Sequence, residues 1–269
     1  MNLDKAKIGI VQGRLSRSKL LHVFPKNPFK EFDNAKKLGF DFIELIAERK
    51  INKFNPIWNQ DPELYRDIIK KNKMNFFSAC DDHIILKGIN SGYLKYLENL
   101  LNKLSQLKIK RLILPMEGRA QIKEKELNRL VNFFKNVLKL CKKYEIPILL
   151  IESNCNYEIY EKIKKKVNSK NLFFLYDLGN RSFYHKNVFQ DILKFNKEIK
   201  HIHIKDKDSN NINVQLGTGD VKFVDAFKAI KRISKNNLVL VFENNKGKNP
   251  LNTAKKNFKF IYKIFKSVK

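Results

Sequence analysis

Ile148-Leu149-Leu150-Ile151-Glu152 and Leu238-Val239-Leu240-Val241-Phe242-Glu243 are unbroken apolar runs, each closed by a glutamate. A strand covered on one face only alternates apolar with polar residues. A run that is apolar throughout is a strand covered on both faces, as in a parallel sheet wrapped by helices. Similar short runs stand at 7–11, 41–47, 74–80, 111–116, 172–177 and 199–204. Between them lie longer, lysine-rich stretches with helical periodicity, at 28–38 (closed by Gly39), 62–71, 91–107, up to about 144, 158–167, 188–197, 221–233 and 252–266. Eight strands alternating with eight helices predict a (β/α)8 TIM barrel. The 269 residues fit one such barrel, which typically needs about 250. No linker, low-complexity stretch or longer repeat interrupts the pattern, so one domain is expected over 1–269.

Composition narrows the function classes. No stretch approaches the ~18 consecutive apolar residues of a membrane-spanning helix, and the first residues lack the apolar core of a secretory signal. Three scattered cysteines, Cys80, Cys141 and Cys155, without a CxxC pair argue against a disulfide framework or zinc finger. A reducing, cytoplasmic setting is expected. The formal net charge of +28 suits a polyanionic partner. However, the excess is mostly lysine spread over nearly every helix, and Asn, Ile and Phe are enriched with it, as in AT-biased coding. Compositional drift is the preferred reading, and nucleic acid is not the expected partner. A homo-oligomer is left open.

Catalytic groups of an α/β barrel sit at the C-terminal ends of its strands. The fifth run ends in Glu152, the sixth in Asp177, the seventh carries His203 and the eighth ends in Glu243. Singly, each has a plainer use. Either glutamate can pair with a loop lysine, Asp177 can cap the next helix through Asp-Leu-Gly-Asn, and His203 can be a core histidine. Jointly, four successive strands deliver one metal-ligating group each to the same rim. A carboxylate closing an apolar strand is a costly buried charge, and a shared cation removes that cost for all four. Three carboxylates and an imidazole suit one divalent ion, Mn²⁺, Co²⁺, Mg²⁺ or Zn²⁺.

Further marks are Ile8-Gly9-Ile10-Val11-Gln12-Gly13-Arg14-Leu15-Ser16, Gly39-Phe40-Asp41-Phe42-Ile43-Glu44, His201-Ile202-His203-Ile204-Lys205-Asp206 and Gly217-Thr218-Gly219-Asp220. With these, essentially the whole chain resembles the xylose isomerase-like barrel superfamily, the sugar-phosphate isomerase and epimerase group. The resemblance implies a metal held by Glu152, Asp177, His203 and Glu243, with a sugar or sugar phosphate as substrate. It implies Glu152 and Glu243 on opposite faces of that substrate, one removing and one returning a proton through a metal-stabilised enediolate.

Around this set, Lys205 is expected to bind a substrate oxygen or a phosphate, and Gln12 and Arg14 to hold its far end. Glu44 and Glu117, closing the second and fourth strands, and His83, after the third, are expected to line the pocket. The Gly217–Gly219 turn is expected to cradle a phosphate or hydroxyl. His22, His185 and His201 are read as structural. Two departures stand out. Where ketose epimerases of this group carry a histidine three residues after the aspartate ligand, this chain has Asn180. No arginine occurs in 204–219. Both point away from a free ketohexose, towards another polyol, amino sugar or acid. The alternatives are a dehydratase or lyase on the same site, an abasic-site endonuclease and a non-catalytic binding barrel. The endonuclease would need more histidines than the five present.

Overall fold

The computed structural model describes residues 6–17, 21–48, 50–59, 62–233 and 238–268. Eight parallel strands close on themselves: β1 (Lys7–Val11), β2 (Phe42–Ala47), β3 (Asn75–Asp81), β4 (Arg111–Pro115), β5 (Ile148–Glu152), β6 (Leu172–Asp177), β7 (Ile199–Ile204) and β10 (Val239–Phe242). Each pairs with its neighbours in sequence, and β10 pairs with β1 to shut the ring. The expected (β/α)8 barrel is the fold.

Eight helices form the outer layer: α1 (Pro28–Leu38), α2 (Pro62–Asn72), α4 (Ser91–Gln106), α5 (Leu127–Lys143), α6 (Tyr157–Val167), α8 (Val188–Phe195), α9 (Phe223–Ile233) and α10 (Pro250–Ser267). Their starts are written in the sequence. The side chains of Asn27, Asn90, Asn187 and Asn249 cap α1, α4, α8 and α10, each accepting from a backbone N–H three residues on. Gly39 closes α1 in the left-handed region at φ 86°, the conformation only glycine adopts without strain.

Among the described residues there are two α-helices beyond the eight expected. They are α3 (His83–Lys87) and α7 (Leu178–Tyr184), which start directly after β3 and β6. Neither is long enough to show a helical period, which is why the sequence does not announce them. A small antiparallel hairpin, β8 (Asp206–Lys207) with β9 (Asn213–Val214), rises from the end of β7. All three additions lie at the C-terminal ends of the barrel strands.

Two cores result from the period of two along each strand. Outward residues such as Ile43, Leu114, Phe174 and Ile202 meet the helices in the larger cluster. Inward residues Val11, Phe42, Ile46, Cys80, Ile113, Leu150, Leu175, Val239 and Val241 fill the barrel in the smaller one. The inward set on β5, β6 and β7 continues with Glu152, Asp177, His201 and His203, and register aligns Asp177 and Val241 with His203. Alternation thus delivers the polar groups to the top of the barrel interior. No described helix is long and apolar enough to cross a membrane.

Candidate metal centre and its surroundings

Glu152, Asp177 and His203 end or nearly end three adjacent strands, and their ligating atoms all lie within 4.8 Å of one another. His203 Nδ1 is the hub. It lies 3.8 Å from Glu152 Oε2, 3.8 Å from Asp177 Oδ2 and 3.0 Å from Glu243 Oε2. Glu243 adjoins the tighter triad from β10's end, where its backbone N–H donates to Ile204. Donors held at ~2.1 Å from one ion stand about 3–4 Å apart, so these spacings fit a shared divalent cation. Two buried atoms aimed into the same space, Asp177 Oδ2 and His203 Nδ1, have no well-directed hydrogen bond. A donor set of carboxylates with one imidazole completes the fit.

Asp177 serves twice. Its Oδ1 accepts from Asn180 N at 2.6 Å and caps α7, leaving Oδ2 for the centre. Asn180 then donates from Nδ2 to Glu152 Oε1 at 3.0 Å, which fixes the plane of that carboxylate. Lys205, on the strand end beside them, places its ammonium 3.0 Å from Asp177 Oδ2 and 2.9 Å from Glu243 Oε2. Arg14, 1 % exposed, donates to Leu21 O and approaches Glu243 Oε1 at 3.5 Å.

The electrostatics divide the two glutamates. Burial pushes the Glu152 carboxyl up to about 8, helped by Asp177 and Glu243 and opposed by His203 and Lys205. Burial acts on Glu243 in the same sense, but Lys205, His203 and Arg14 outweigh it and hold that carboxyl well below its usual range. Carboxylates on all sides raise the His203 imidazole against the pull of burial. Burial raises Glu117 as well.

These residues enclose a cavity of about 220 Å³. Glu44 and His203 form its floor, Glu152, Glu243, Lys205 and Asn180 its wall, and His22, Glu117, Lys207 and Asn213 its outer part. A larger hollow of about 1040 Å³ lies outside the barrel between α2 and α4. Its lining contains no carboxylate or imidazole, so the chemistry belongs to the smaller central cavity.

Several expectations meet a different placement. Gln12 follows the inward Val11 and so turns outward. Its amide is spent on His22 O, Glu48 Oε1 and Ile46 N, and it does not line the cavity. His83 opens α3 and packs away from the centre, 3.2 Å from Asp81 Oδ1 and 2.8 Å from Tyr96 Oη. Glu44 sits inside β2 rather than at its end and is fully buried beneath His203. The Gly217–Gly219 turn cradles an anion of its own: Asp206 accepts from Gly217 N, Gly219 N and Val221 N at 2.8, 3.0 and 3.2 Å. No N–H of those three is left for a phosphate.

His201, read as structural, lies beneath the floor, 3.0 Å from Glu44, and does not line the cavity. Its signal was its distance of two residues from His203 on an inward-facing strand. Lys207 and Asn213 join the cavity through the hairpin, which no periodicity announces.

No curated protein matches the chain in sequence. Solved structures match its fold. A xylose isomerase domain protein from Planctomyces limnophilus superposes with a TM-score of 0.75 at 13% identity, covering 98% of this chain and 99% of that one. D-psicose 3-epimerase from Clostridium cellulolyticum H10, solved with D-tagatose, gives 0.72 at 14% identity over 96% and 99%. IOLI protein with a bound zinc atom gives 0.73 at 14% identity over 96% and 96%. In sequence, residues 32–264 match a family description, and the chain belongs to the xylose isomerase-like TIM barrel family.

Proposed function

We propose that this chain is a divalent-metal-dependent isomerase or epimerase of a small sugar or sugar derivative. The observation that carries the reading is the position of Glu152 and Glu243. They stand on β5 and at the end of β10, with β6 and β7 between them, and so flank His203 in one cavity, with Asp177 buried beside it. The sugar epimerase among the structural neighbours and the zinc held by another support it.

A divalent ion held by Glu152, Asp177, His203 and Glu243 would supply Lewis acidity at a carbonyl and lower the pKa of the neighbouring C–H. The chain's own groups do the rest. One glutamate accepts the proton from that carbon, and the other delivers a proton to the opposite face. Asn180 holds Glu152 in orientation, and Lys205 and Arg14 keep Glu243 charged and in place. Lys205, when it turns from the carboxylates to a substrate, offers N–H donors to the developing oxyanion. Asp206 already fills the glycine turn, which favours an unphosphorylated substrate.

The test is exchange of the substrate's α-proton in D₂O, screened over keto sugars, their acids and amino derivatives after metal loading. Solvent exchange is expected with about one bound divalent ion per chain. Glu152→Gln and Glu243→Gln should each slow it by ~10²–10⁴, the usual worth of a positioned acid or base. Exchange retained at the wild-type rate in both variants would refute the two-glutamate assignment.

A further inference from the structure

Below the four-residue centre lies a carboxylate that the proposed chemistry does not consume. Glu44 faces the barrel interior between Phe42 and Ile46 and is 0 % exposed. A carboxylate at that depth is costly unless every lone pair is engaged, and here both oxygens are. Oε1 lies 2.7 Å from His203 Nε2. Oε2 accepts from Ser78 Oγ at 2.5 Å and lies 3.0 Å from His201 Nε2.

The chemistry of that contact assigns a hydrogen. An ionised carboxylate only accepts, so the short contact to Nε2 places a hydrogen on Nε2. As a metal ligand the ring is neutral, and with that hydrogen on Nε2 its lone pair is on Nδ1, the atom that faces Glu152, Asp177 and Glu243. With the other neutral tautomer, two acceptors would confront each other 2.7 Å apart at Glu44. The supports of Glu44 come from separate strands, Ser78 on β3 and His201 on β7, and register sets His201 level with Leu175 and Val239 of the packed interior. The carboxylate is thus braced from both sides as well as buried.

We propose that Glu44, braced by Ser78 and His201, is the positioning residue that fixes His203 as an Nδ1 ligand and thereby sets the affinity of the centre for its divalent ion. The inference rests on the metal reading above. It differs from a purely structural role in one respect: loss of Glu44 weakens metal binding without a matching loss of fold stability. Outer partners of metal-bound histidines usually change metal affinity by ~10–100-fold.

The experiment measures Zn²⁺ affinity of the full chain, stripped with chelator, by competition with a chromophoric chelator. In Glu44→Gln the amide keeps the shape, can accept from His203 Nε2 and can donate to His201, so the barrel folds. Zn²⁺ should bind ~10–100-fold more weakly, while the melting temperature of the stripped protein stays within a few degrees of wild type. Long-range ¹H–¹⁵N spectra of the Zn²⁺-loaded wild type should show His203 with hydrogen on Nε2 and a metal-shifted Nδ1. Unchanged Zn²⁺ affinity in Glu44→Gln overturns the proposal, and so does a metal-shifted Nε2, which needs no variant at all. Should Glu44→Gln fold poorly, Ser78→Ala is read in the same way, with a smaller loss in the same direction expected and no loss counting against. A wild-type chain that binds no Zn²⁺ removes the metal reading itself. Wild-type binding with an unaffected variant removes only the role of Glu44.

Discussion

Glu31 on α1 shows what a single buried group does to this protein away from its centre. It is 2 % exposed, accepts from Leu15 N, and burial pushes its carboxyl up to about 7 despite that bond and the nearby Lys246 and Arg14. A raised carboxyl pKa means that folding favours the protonated form. Below about pH 4.5 both states hold the proton and nothing is lost. As pH rises from about 4.5 to about 7 the folded state loses stability, and above that the loss is constant. Glu31→Gln should therefore stabilise the protein at pH 8, by about 1–3 kcal/mol, with the gain shrinking as pH falls towards 4.5. Thermal melts at both pH values check this, and an equal gain at pH 5 and pH 8 would contradict it. At this scale the sequence is legible where a residue closes a strand. Glu152, Asp177, His203 and Glu243 could be picked out because an apolar run ends in each or nearly so. Glu44 was misplaced by a register of a few positions: its strand runs on through Leu45, Ile46 and Ala47, which buries it instead of raising it to the rim.

Among the elements, glycines separate two kinds of constraint. Gly39 ends α1 at φ 86° with open space around its missing Cβ. Gly219 has no φ constraint of that kind, but a Cβ there would meet Asp206 Oδ1 at 2.4 Å and Lys207 O at 2.5 Å. Gly39→Ala should cost about 1–2 kcal/mol, the penalty of a left-handed residue. Gly219→Ala should destabilise by about 1–3 kcal/mol through overpacking, and also disturb the hairpin over the cavity. Urea unfolding measures both. Substrate or metal binding that changes with Gly219→Ala and not with Gly39→Ala would confirm that the turn serves the cavity. The long helices and their caps were readable because periodicity needs two or three turns to declare itself. The helices α3 and α7 and the hairpin β8–β9 were not, since each is too short to show a period, and side-chain bonds such as the Asp177 cap and the Asp206 clamp are not visible in a periodicity.

Taken as a whole, the molecule carries a net charge of +28, and the structure shows where part of it goes. The last turns of α1, α2, α5, α6 and α9 hold Lys36, Lys37, Lys70, Lys71, Lys142, Lys143, Lys164, Lys165, Lys166 and Lys231. Cations there complement the helix dipoles. Those ends lie at the opposite end of the barrel from the centre, because each strand's C-terminal end feeds the start of the next helix. Those lysines thus have a structural use, and they do not surround the cavity. Duplex DNA should bind with a dissociation constant no tighter than ~1 μM at physiological salt, the range of non-specific contacts, as read by fluorescence anisotropy. Nanomolar binding that survives moderate salt would revive a nucleic-acid role. The barrel as a whole was legible from eight apolar runs in alternation, and Glu117 at the cavity's outer part with it, whereas Lys207 and Asn213 were not, because two-residue strands show no period.

Lys205 carries an implication about the order of events in the cell. Its ammonium lies 3.0 Å from Asp177 and 2.9 Å from Glu243, a tethered cation among carboxylates that would otherwise repel one another while the barrel closes. That ammonium balances part of the carboxylate charge without any ion. On the metal reading proposed above, uptake would be an exchange of one cation for another, so supply of the ion, and not completion of the fold, would decide when the centre is filled.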